Sequence, residues 1–166
     1  MSLEIKSWLL RELLDFPYLP SPVAVIDAAL DEVDLKAEKV FADLGCGTGT
    51  VLIRAAQRSK VFCVGFEIDH RLLPETKRNI KEAGLSGKID VVYADAFRVD
   101  LSRFDVIYIY PFPTIALRLS ENLRSDCKKG AVALVHDYPL PKLVPSKVVE
   151  VSENDFHTHK IYVYRF

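Results

Sequence analysis

Residues 40–56, VFADLGCGTGTVLIRAA, run from an apolar, strand-like segment through a glycine-rich turn into a helix-like segment. The turn has glycine at every second position: Gly45, Gly47 and Gly49. In an open α/β sheet such a turn lets the backbone approach a ligand beyond the strand ends, beside the positive end of the next helix. Residue 50 is threonine, so the spacing departs from the G-x-G-x-x-G of dinucleotide-binding proteins. The stretch therefore predicts a nucleotide-type ligand without deciding which one.

The composition is that of a globular protein with one hydrophobic core. The chain has 166 residues, 49% of them hydrophobic. Its 22 basic residues nearly balance 23 acidic ones, so no overall positive field points to nucleic acid or a membrane as partner. Three widely spaced cysteines fit a reducing compartment better than a disulfide framework. Because neither a membrane-spanning run nor an apolar signal peptide stands out, we expect a cytoplasmic protein without membrane insertion.

Short apolar segments alternate with longer helix-like segments along the chain. Crossover helices are expected over 50–59, 70–84 and 114–128, each between two strand-like segments. This alternation predicts an α/β fold with a mostly parallel sheet and helices on both faces. The last two strand-like segments, 148–155 and 159–166, have no helix between them, which predicts an antiparallel C-terminal hairpin.

We expect a single domain over 1–166, with an N-terminal helical cap over 1–36 and a Rossmann-like core over 37–166. Residues 3–14 place apolar side chains at helical spacing and predict an amphipathic helix that ends before the prolines of 17–22. Both charge signs occur on its polar face, which favours packing on the protein body over a membrane surface. VAVIDAALDEV predicts a second helix.

Carboxylates follow three successive strand-like segments and narrow the choice of ligand. Asp43 precedes the first glycine, where it would repel a pyrophosphate but suit the ammonium of S-adenosylmethionine. Glu67 ends the second segment, where a carboxylate can accept both ribose hydroxyls. Asp95 ends the third, where it can accept from an adenine amino group, with Ala96 beside it and the Phe97 ring over the base. We therefore predict S-adenosylmethionine as the cofactor.

With DLGCGTG as the nucleotide loop, the sequence resembles the seven-stranded, Rossmann-like class I methyltransferases that use S-adenosylmethionine. A narrower resemblance covers nearly the whole chain. It is to the small archaeal protein-lysine methyltransferases and their eukaryotic mitochondrial relatives, which modify the c-ring protein of ATP synthase and adenine nucleotide translocase. This resemblance implies a protein substrate that presents lysine.

Flanking motifs carry the narrower resemblance. PYLPSP, residues 17–22, is similar to the family's Tyr-x-Pro-Thr/Ser-Pro segment, which implies that Tyr18 and Ser21 contact the methionine end of the cofactor. GAVALVHDYPLPKLVP, residues 130–145, is similar to the family's Gly-x-x-Val-Val-Ser-His segment, and HKIYVYRF, residues 159–166, to its closing His-x-Ile-Tyr-x-Tyr strand.

The acceptor side is predicted at the end of the fourth strand-like segment, in IYIYPFPT, residues 107–114. Class I methyltransferases present acceptor groups there, so we predict Tyr110 as the catalytic residue that orients the amine. Pro111 and Phe112 would wall an apolar channel, and His136, at the end of the fifth segment, could reach the substrate. For Tyr110 and His136 a purely structural role is the alternative.

Three other functions stay open at this level. YPFP is similar to the Asn/Asp/Ser-Pro-Pro-Tyr/Phe loop of nucleic-acid methyltransferases, but lacks its polar first residue, which makes RNA or DNA base methylation the weaker alternative. A nicotinamide-dependent oxidoreductase or a non-catalytic nucleotide-binding module would use the same fold. His157 and His159 show no cysteine or carboxylate spacing typical of a metal site, so no metal is predicted.

Overall fold

A computed structural model describes residues 18–154 and 157–166, and this part of the chain contains a seven-stranded sheet. The strands are β1 Val40–Leu44, β2 Phe62–Glu67, β3 Ile89–Tyr93, β4 Val106–Ile109, β5 Val132–His136, β6 Lys147–Asn154 and β7 His157–Arg165. Their order is β3-β2-β1-β4-β5-β7-β6, in which β7 pairs antiparallel with both β5 and β6 and all other pairs are parallel. The predicted mostly parallel sheet with an antiparallel C-terminal hairpin is confirmed. The amphipathic helix predicted over 3–14 lies outside the described residues.

The described residues form four α-helices: α1 Val23–Leu30, α2 Thr50–Arg58, α3 Leu73–Glu82 and α4 Pro113–Asp126. The last three are crossover helices at the predicted places, and α1 is the second helix predicted for the cap. The connection from β3 to β4 contains two 3₁₀ turns, Ala96–Arg98 and Leu101–Arg103, in place of an α-helix. Asp95 and Asp100 cap these turns by accepting from backbone N–H groups two residues ahead.

The central strands are buried on both faces, since successive strand residues point to opposite sides and each side packs against a cluster of apolar residues. Phe41 and Tyr108 face a cluster that includes apolar residues of α1, α2 and α3. Ala42 and Ile107, each one position away, face a second cluster that includes apolar residues of α4. Two such layers on a parallel sheet explain why the strands read as continuous apolar runs.

The strand order places a crevice between β1 and β4. From β1 the chain proceeds outward to β2 and β3, and from β4 it proceeds outward to β5 on the other side. Crossover helices therefore leave β1 and β4 toward opposite faces, and the crevice at their carboxyl ends is where open α/β sheets bind ligands. None of the helices in the described parts of the chain is both long and apolar enough to cross a bilayer.

Candidate active site

A cavity of about 570 Å³ opens at the carboxyl ends of β1 to β4. Nine of the predicted site residues line it: Tyr18, Gly45, Glu67, Asp95, Ala96, Phe97, Tyr110, Pro111 and Phe112. A smaller cavity of about 30 Å³ adjoins the end of β1, and Ser21 and Asp43 line it together with Tyr18, Gly45 and Tyr110. The fold thus brings together residues that are far apart in sequence.

The glycine loop is held between Tyr18 and Glu67. A Cβ atom on Gly47, whose φ is +52°, would lie 2.0 Å from Tyr18 Cε2, so only glycine fits beneath that ring. The Tyr18 hydroxyl is 2.8 Å from Thr48 Oγ1. Backbone N–H groups of Gly47 and Asp69 donate to the two Glu67 carboxylate oxygens, each at 2.8 Å. A carboxylate offers about four acceptor positions, so Glu67 retains capacity for ligand hydroxyls.

Gly49 has a structural place in the same loop. Its left-handed conformation, with φ +85°, caps the N-terminus of α2. A Cβ atom there would approach Thr76 Cγ2 to 3.0 Å. Gly47 and Gly49 shape the loop without lining either of the two cavities.

Asp43 is a buried carboxylate under the influence of a second negative charge, that of Glu67. It is 3% exposed, and its burial, together with the Glu67 charge, raises the pKa of the Asp43 carboxyl well above its ordinary value. Such a group favours a cation that enters the adjoining cavity, because a positive charge offsets both effects. The ammonium of an amino-acid-bearing nucleotide fits this requirement, whereas a pyrophosphate does not.

Asp95, Ala96 and Phe97 form the edge of the large cavity beyond β3. The Asp95 side chain accepts from the Phe97 N–H at 2.9 Å, which orients the turn. Arg118 of α4 lies over the Phe97 ring, 4.0 Å from its centroid. Asp95 therefore acts as a turn cap and also stands at the cavity edge.

Tyr110 stands on the opposite side of the cavity, directly after β4. Its hydroxyl donates to Asp137 Oδ2 at 3.0 Å, and its ring stacks on the Tyr138 ring with centroids 6.4 Å apart. Partial burial raises the pKa of the Tyr110 phenol well above its ordinary value, and the neighbouring Asp137 carboxylate raises it further. Tyr110 is therefore a neutral phenol, with its proton directed at Asp137 and its oxygen lone pairs available as acceptors.

His136, which the sequence suggested could reach the substrate, lines neither of the two cavities. Its side chain is 0% exposed, with the ring packed against Tyr110 at 3.9 Å between centroids. Its Nδ1 is 3.0 Å from Ser21 Oγ, and Tyr108 donates to the same oxygen at 2.9 Å. Burial lowers the pKa of His136 to about 4, so the ring is neutral near pH 7. His136 thus belongs to a strand that is buried along its whole length.

Sequence reasoning overlooked two tyrosines near the site, and it left Asp137 as a second-line candidate for the acceptor side beside His136. Tyr108 is hidden within an apolar strand, where its hydroxyl donates to Ser21 and its side chain lines the smaller cavity. Tyr138 lines the large cavity two residues after β5. Asp137, between β5 and Tyr138, anchors the Tyr110 hydroxyl. Tyr138 could have been found from its position at a strand's carboxyl end, the same criterion that identified Asp95 and Asp137.

The sheet order, the glycine loop and the strand-end carboxylates define the class of Rossmann-like methyltransferases that use S-adenosylmethionine. The chain belongs to the ANTKMT methyltransferase domain family, which matches residues 43–147. It is an enzyme with S-adenosylmethionine as its cofactor, as predicted. The family match argues against the alternatives of an oxidoreductase and of a non-catalytic nucleotide-binding module.

Similar proteins include methyltransferases for two kinds of substrate. A protein-lysine N-methyltransferase from Saccharolobus islandicus (strain REY15A) is 28% identical, over 89% of this chain and 92% of that protein. A Homo sapiens lysine N-methyltransferase for a component of ATP synthase is 22% identical, over 80% of this chain and 56% of that protein. A crystal structure of an RNA methyltransferase from Salinibacter ruber in complex with S-adenosyl-L-homocysteine superposes with a TM-score of 0.82. The aligned region is 28% identical in sequence and covers 89% of this chain and 93% of the Salinibacter ruber chain.

Proposed function

We propose that this methyltransferase methylates lysine side-chain amines of proteins. The observation that carries the proposal is the Tyr110 hydroxyl, whose proton is directed at Asp137 at 3.0 Å. Its oxygen is left as an acceptor in a cavity with aromatic and proline walls. The similarity to the lysine methyltransferase of Saccharolobus islandicus over most of both chains supports the same substrate class.

The cofactor is proposed to lie across the ends of β1 to β3. We assign Asp43, with Ser21 and Tyr18 beside it, to the methionine end, where the carboxylate pairs with the ammonium. Glu67 would accept the ribose hydroxyls, and Asp95 with Phe97 would hold the adenine. Ala96 and Gly45 complete the cavity wall, while Gly47 and Gly49 shape the loop. The bound cofactor supplies a methyl group already activated on a sulfonium.

The chain's own contribution on the acceptor side is to align an amine and to favour its neutral form. A lysine ammonium has a pKa of about 10.4 in water, and entry into a cavity walled by Pro111 and Phe112 lowers that pKa because the charged form loses hydration. Tyr110 accepts one N–H of the amine and directs its lone pair at the methyl group. The rings of Tyr110, Tyr18 and Tyr138 offer π faces to the ammonium as it enters.

RNA is the second candidate substrate. It is favoured by the resemblance to the Salinibacter ruber RNA methyltransferase structure at 28% identity and a TM-score of 0.82. Aromatic walls also stack on bases. However, Tyr110 occupies the position where the nucleic-acid enzymes' loop has Asn, Asp or Ser, and the net charge is −1.

The substrate class is tested with methyl-labelled S-adenosylmethionine and an extract containing both protein and RNA, divided between nuclease and protease treatment. We expect label that survives nuclease, is lost with protease and elutes as methyl-lysine after acid hydrolysis. Label that is lost with nuclease would overturn the lysine proposal and establish RNA as the substrate.

The role of Tyr110 is tested with Tyr110→Phe. We expect kcat to fall about tenfold, because one hydrogen bond that aligns the amine is lost, while affinity for S-adenosylhomocysteine stays within about twofold. Tyr93→Phe is the matched control, since Tyr93 is 61% exposed and lines neither cavity. If both variants keep the wild-type kcat, Tyr110 does not align the acceptor.

A further inference from the structure

The hairpin of β6 and β7 carries metal-ligating side chains apart from the two cavities. Glu153 lies on β6, and His157 and His159 lie on β7. One ligand atom from each of the three residues lies within 4.8 Å of the others. Spacing along the chain gave no sign of this group, because its carboxylate comes from the neighbouring strand.

A bulge in the hairpin brings Glu153 to the two histidines. The pairing shifts between Ser152 and Asn154, which leaves Glu153 as an extra residue without an opposite partner. An extra residue of this kind redirects side chains relative to the regular pleat. His157 and His159 are two positions apart on one strand and therefore point to the same face. Their rings meet edge to face, with centroids 4.3 Å apart.

The Nε2 atom of His159 is the feature that requires a ligand. The His159 residue is 6% exposed, and among the buried side-chain nitrogen and oxygen atoms of the described residues only this Nε2 lacks a hydrogen bond. Glu153 Oε2 lies 3.5 Å away, too far for a normal hydrogen bond. In a tetrahedral site with bonds of about 2.0–2.2 Å, ligand atoms are about 3.4 Å apart. The observed separation matches that value.

The proton of His159 is located by the neighbouring carboxylate. His159 Nδ1 is 2.9 Å from Asp137 Oδ2, whereas His136 Nε2 is 3.4 Å from the same oxygen. The two ring nitrogens are 3.0 Å apart, so one of them donates a proton and the other accepts it. The shorter contact assigns the proton to His159 Nδ1, which leaves a lone pair on its Nε2. A histidine that donates Nδ1–H to a carboxylate is the usual arrangement for binding a metal through Nε2.

We propose that Glu153, His157 and His159 form a binding site for a divalent transition-metal ion, with Zn²⁺ as the best match. Two imidazoles and one carboxylate suit Zn²⁺ and leave a fourth position for water. His157 is exposed, so its side chain can rotate toward the ion without disturbing the core. The site does not depend on the proposed lysine substrate, but its Asp137 partner also accepts from the Tyr110 hydroxyl.

The site is tested by titrating tag-free, chelator-treated full-length protein with ZnCl₂ in a calorimeter. We expect one Zn²⁺ per chain, and binding at least tenfold weaker in His157→Ala and in Glu153→Ala. These two residues are exposed, so the variants should fold, whereas His159→Ala removes a buried ring. His70→Ala is the matched control, because His70 is an exposed histidine outside the cluster.

A second variant separates coordination from mere proximity. Asp137→Asn should weaken Zn²⁺ binding about tenfold or more, since the carboxylate orients the His159 ring and fixes its tautomer. Asparagine tolerates the positive φ of 58° at this position. The proposal is overturned if the wild type does not bind Zn²⁺ up to about millimolar concentration, if Glu153→Ala and His157→Ala bind like the wild type, or if His70→Ala weakens binding equally.

Discussion

Asp43 destabilises the ligand-free fold, yet it is proposed to stabilise the bound cofactor. Its carboxyl is 3% exposed and stands near the Glu67 charge, which raises its pKa in the folded protein. Folding therefore disfavours the ionised form of this group. A bound ammonium would reverse that effect, so the same carboxylate is a cost without the cofactor and a source of affinity with it.

Asp43→Asn is expected to raise the Tm of the ligand-free protein at neutral pH. Removing an ionisable group whose pKa is raised on folding relieves about 1–3 kcal/mol, since one pKa unit corresponds to about 1.4 kcal/mol. This is equivalent to a few degrees for a chain of this length. The stabilising effect is absent below the unfolded carboxyl pKa of about 3.9, where the wild-type group is neutral in both states. It grows as the pH rises from that value toward the elevated folded pKa, above which it levels off. Melting curves of both proteins between pH 4 and 8 measure this difference.

The same variant should bind S-adenosylhomocysteine about 10- to 100-fold more weakly, because a charge-assisted hydrogen bond to the ammonium is lost. Calorimetric titration measures this affinity. Asp90→Asn is the control for both experiments, since Asp90 is an exposed carboxylate on β3 that lines neither cavity. Unchanged affinity in Asp43→Asn would show that the ammonium binds elsewhere.

At the scale of elements, the contact between β2 and α2 depends on a glycine within the strand. A Cβ atom on Gly65 would lie 2.5 Å from Leu52 Cδ1 and 2.7 Å from Cys46 Sγ. The helix can lie this close to the strand only because the side chain is missing. The position of α2 in turn fixes the loop that begins at Gly45.

Gly65→Ala is therefore expected to destabilise the protein by about 1–3 kcal/mol, the usual cost of overpacking a core. Urea denaturation measures the free energy of unfolding, with the m-value as a check on two-state behaviour. Gly87→Ala is the matched control, since a Cβ atom on Gly87 has nothing within 4 Å and its φ is not positive. Equal unfolding free energies for the two variants would mean that α2 shifts at little cost.

At the scale of the whole molecule, stability should be distributed from the centre of the sheet outward. β1, β4 and β5 are paired on both sides, and β4 and β5 are buried along their full length. β6 has a single partner strand and is largely exposed. In native-state hydrogen exchange, amides of β4 and β5 should open only with global unfolding, and those of β6 at lower free energy. Equal protection of β6 would indicate that another chain covers this edge.

The sequence predicts the strand and helix order well, because apolar segments change from strand-like to helical spacing at each crossover. It also predicts that three carboxylates stand together, since each lies at a strand's carboxyl end, and the structure places all three on the walls of the two cavities. It could not predict the orientation of His136. Because β5 is buried on both faces, apolar and polar residues do not alternate along it, and the sequence gives no sign of which side each residue faces. Nor could it predict the cluster of Glu153, His157 and His159, which depends on a bulge and on pairing between strands.

The crevice between β1 and β4 divides the cavity into two halves with separate origins in the chain. Asp43, Glu67 and Asp95 come from the first three strands, whereas Tyr110 and Tyr138 follow β4 and β5. Residues after β4 and β5 can therefore be exchanged while the carboxylates proposed to bind the cofactor stay in place. For protein engineering this makes the enzyme a two-part scaffold. New acceptors are best sought by randomising positions 110–112 and 138, with cofactor affinity as the readout that the scaffold remains intact.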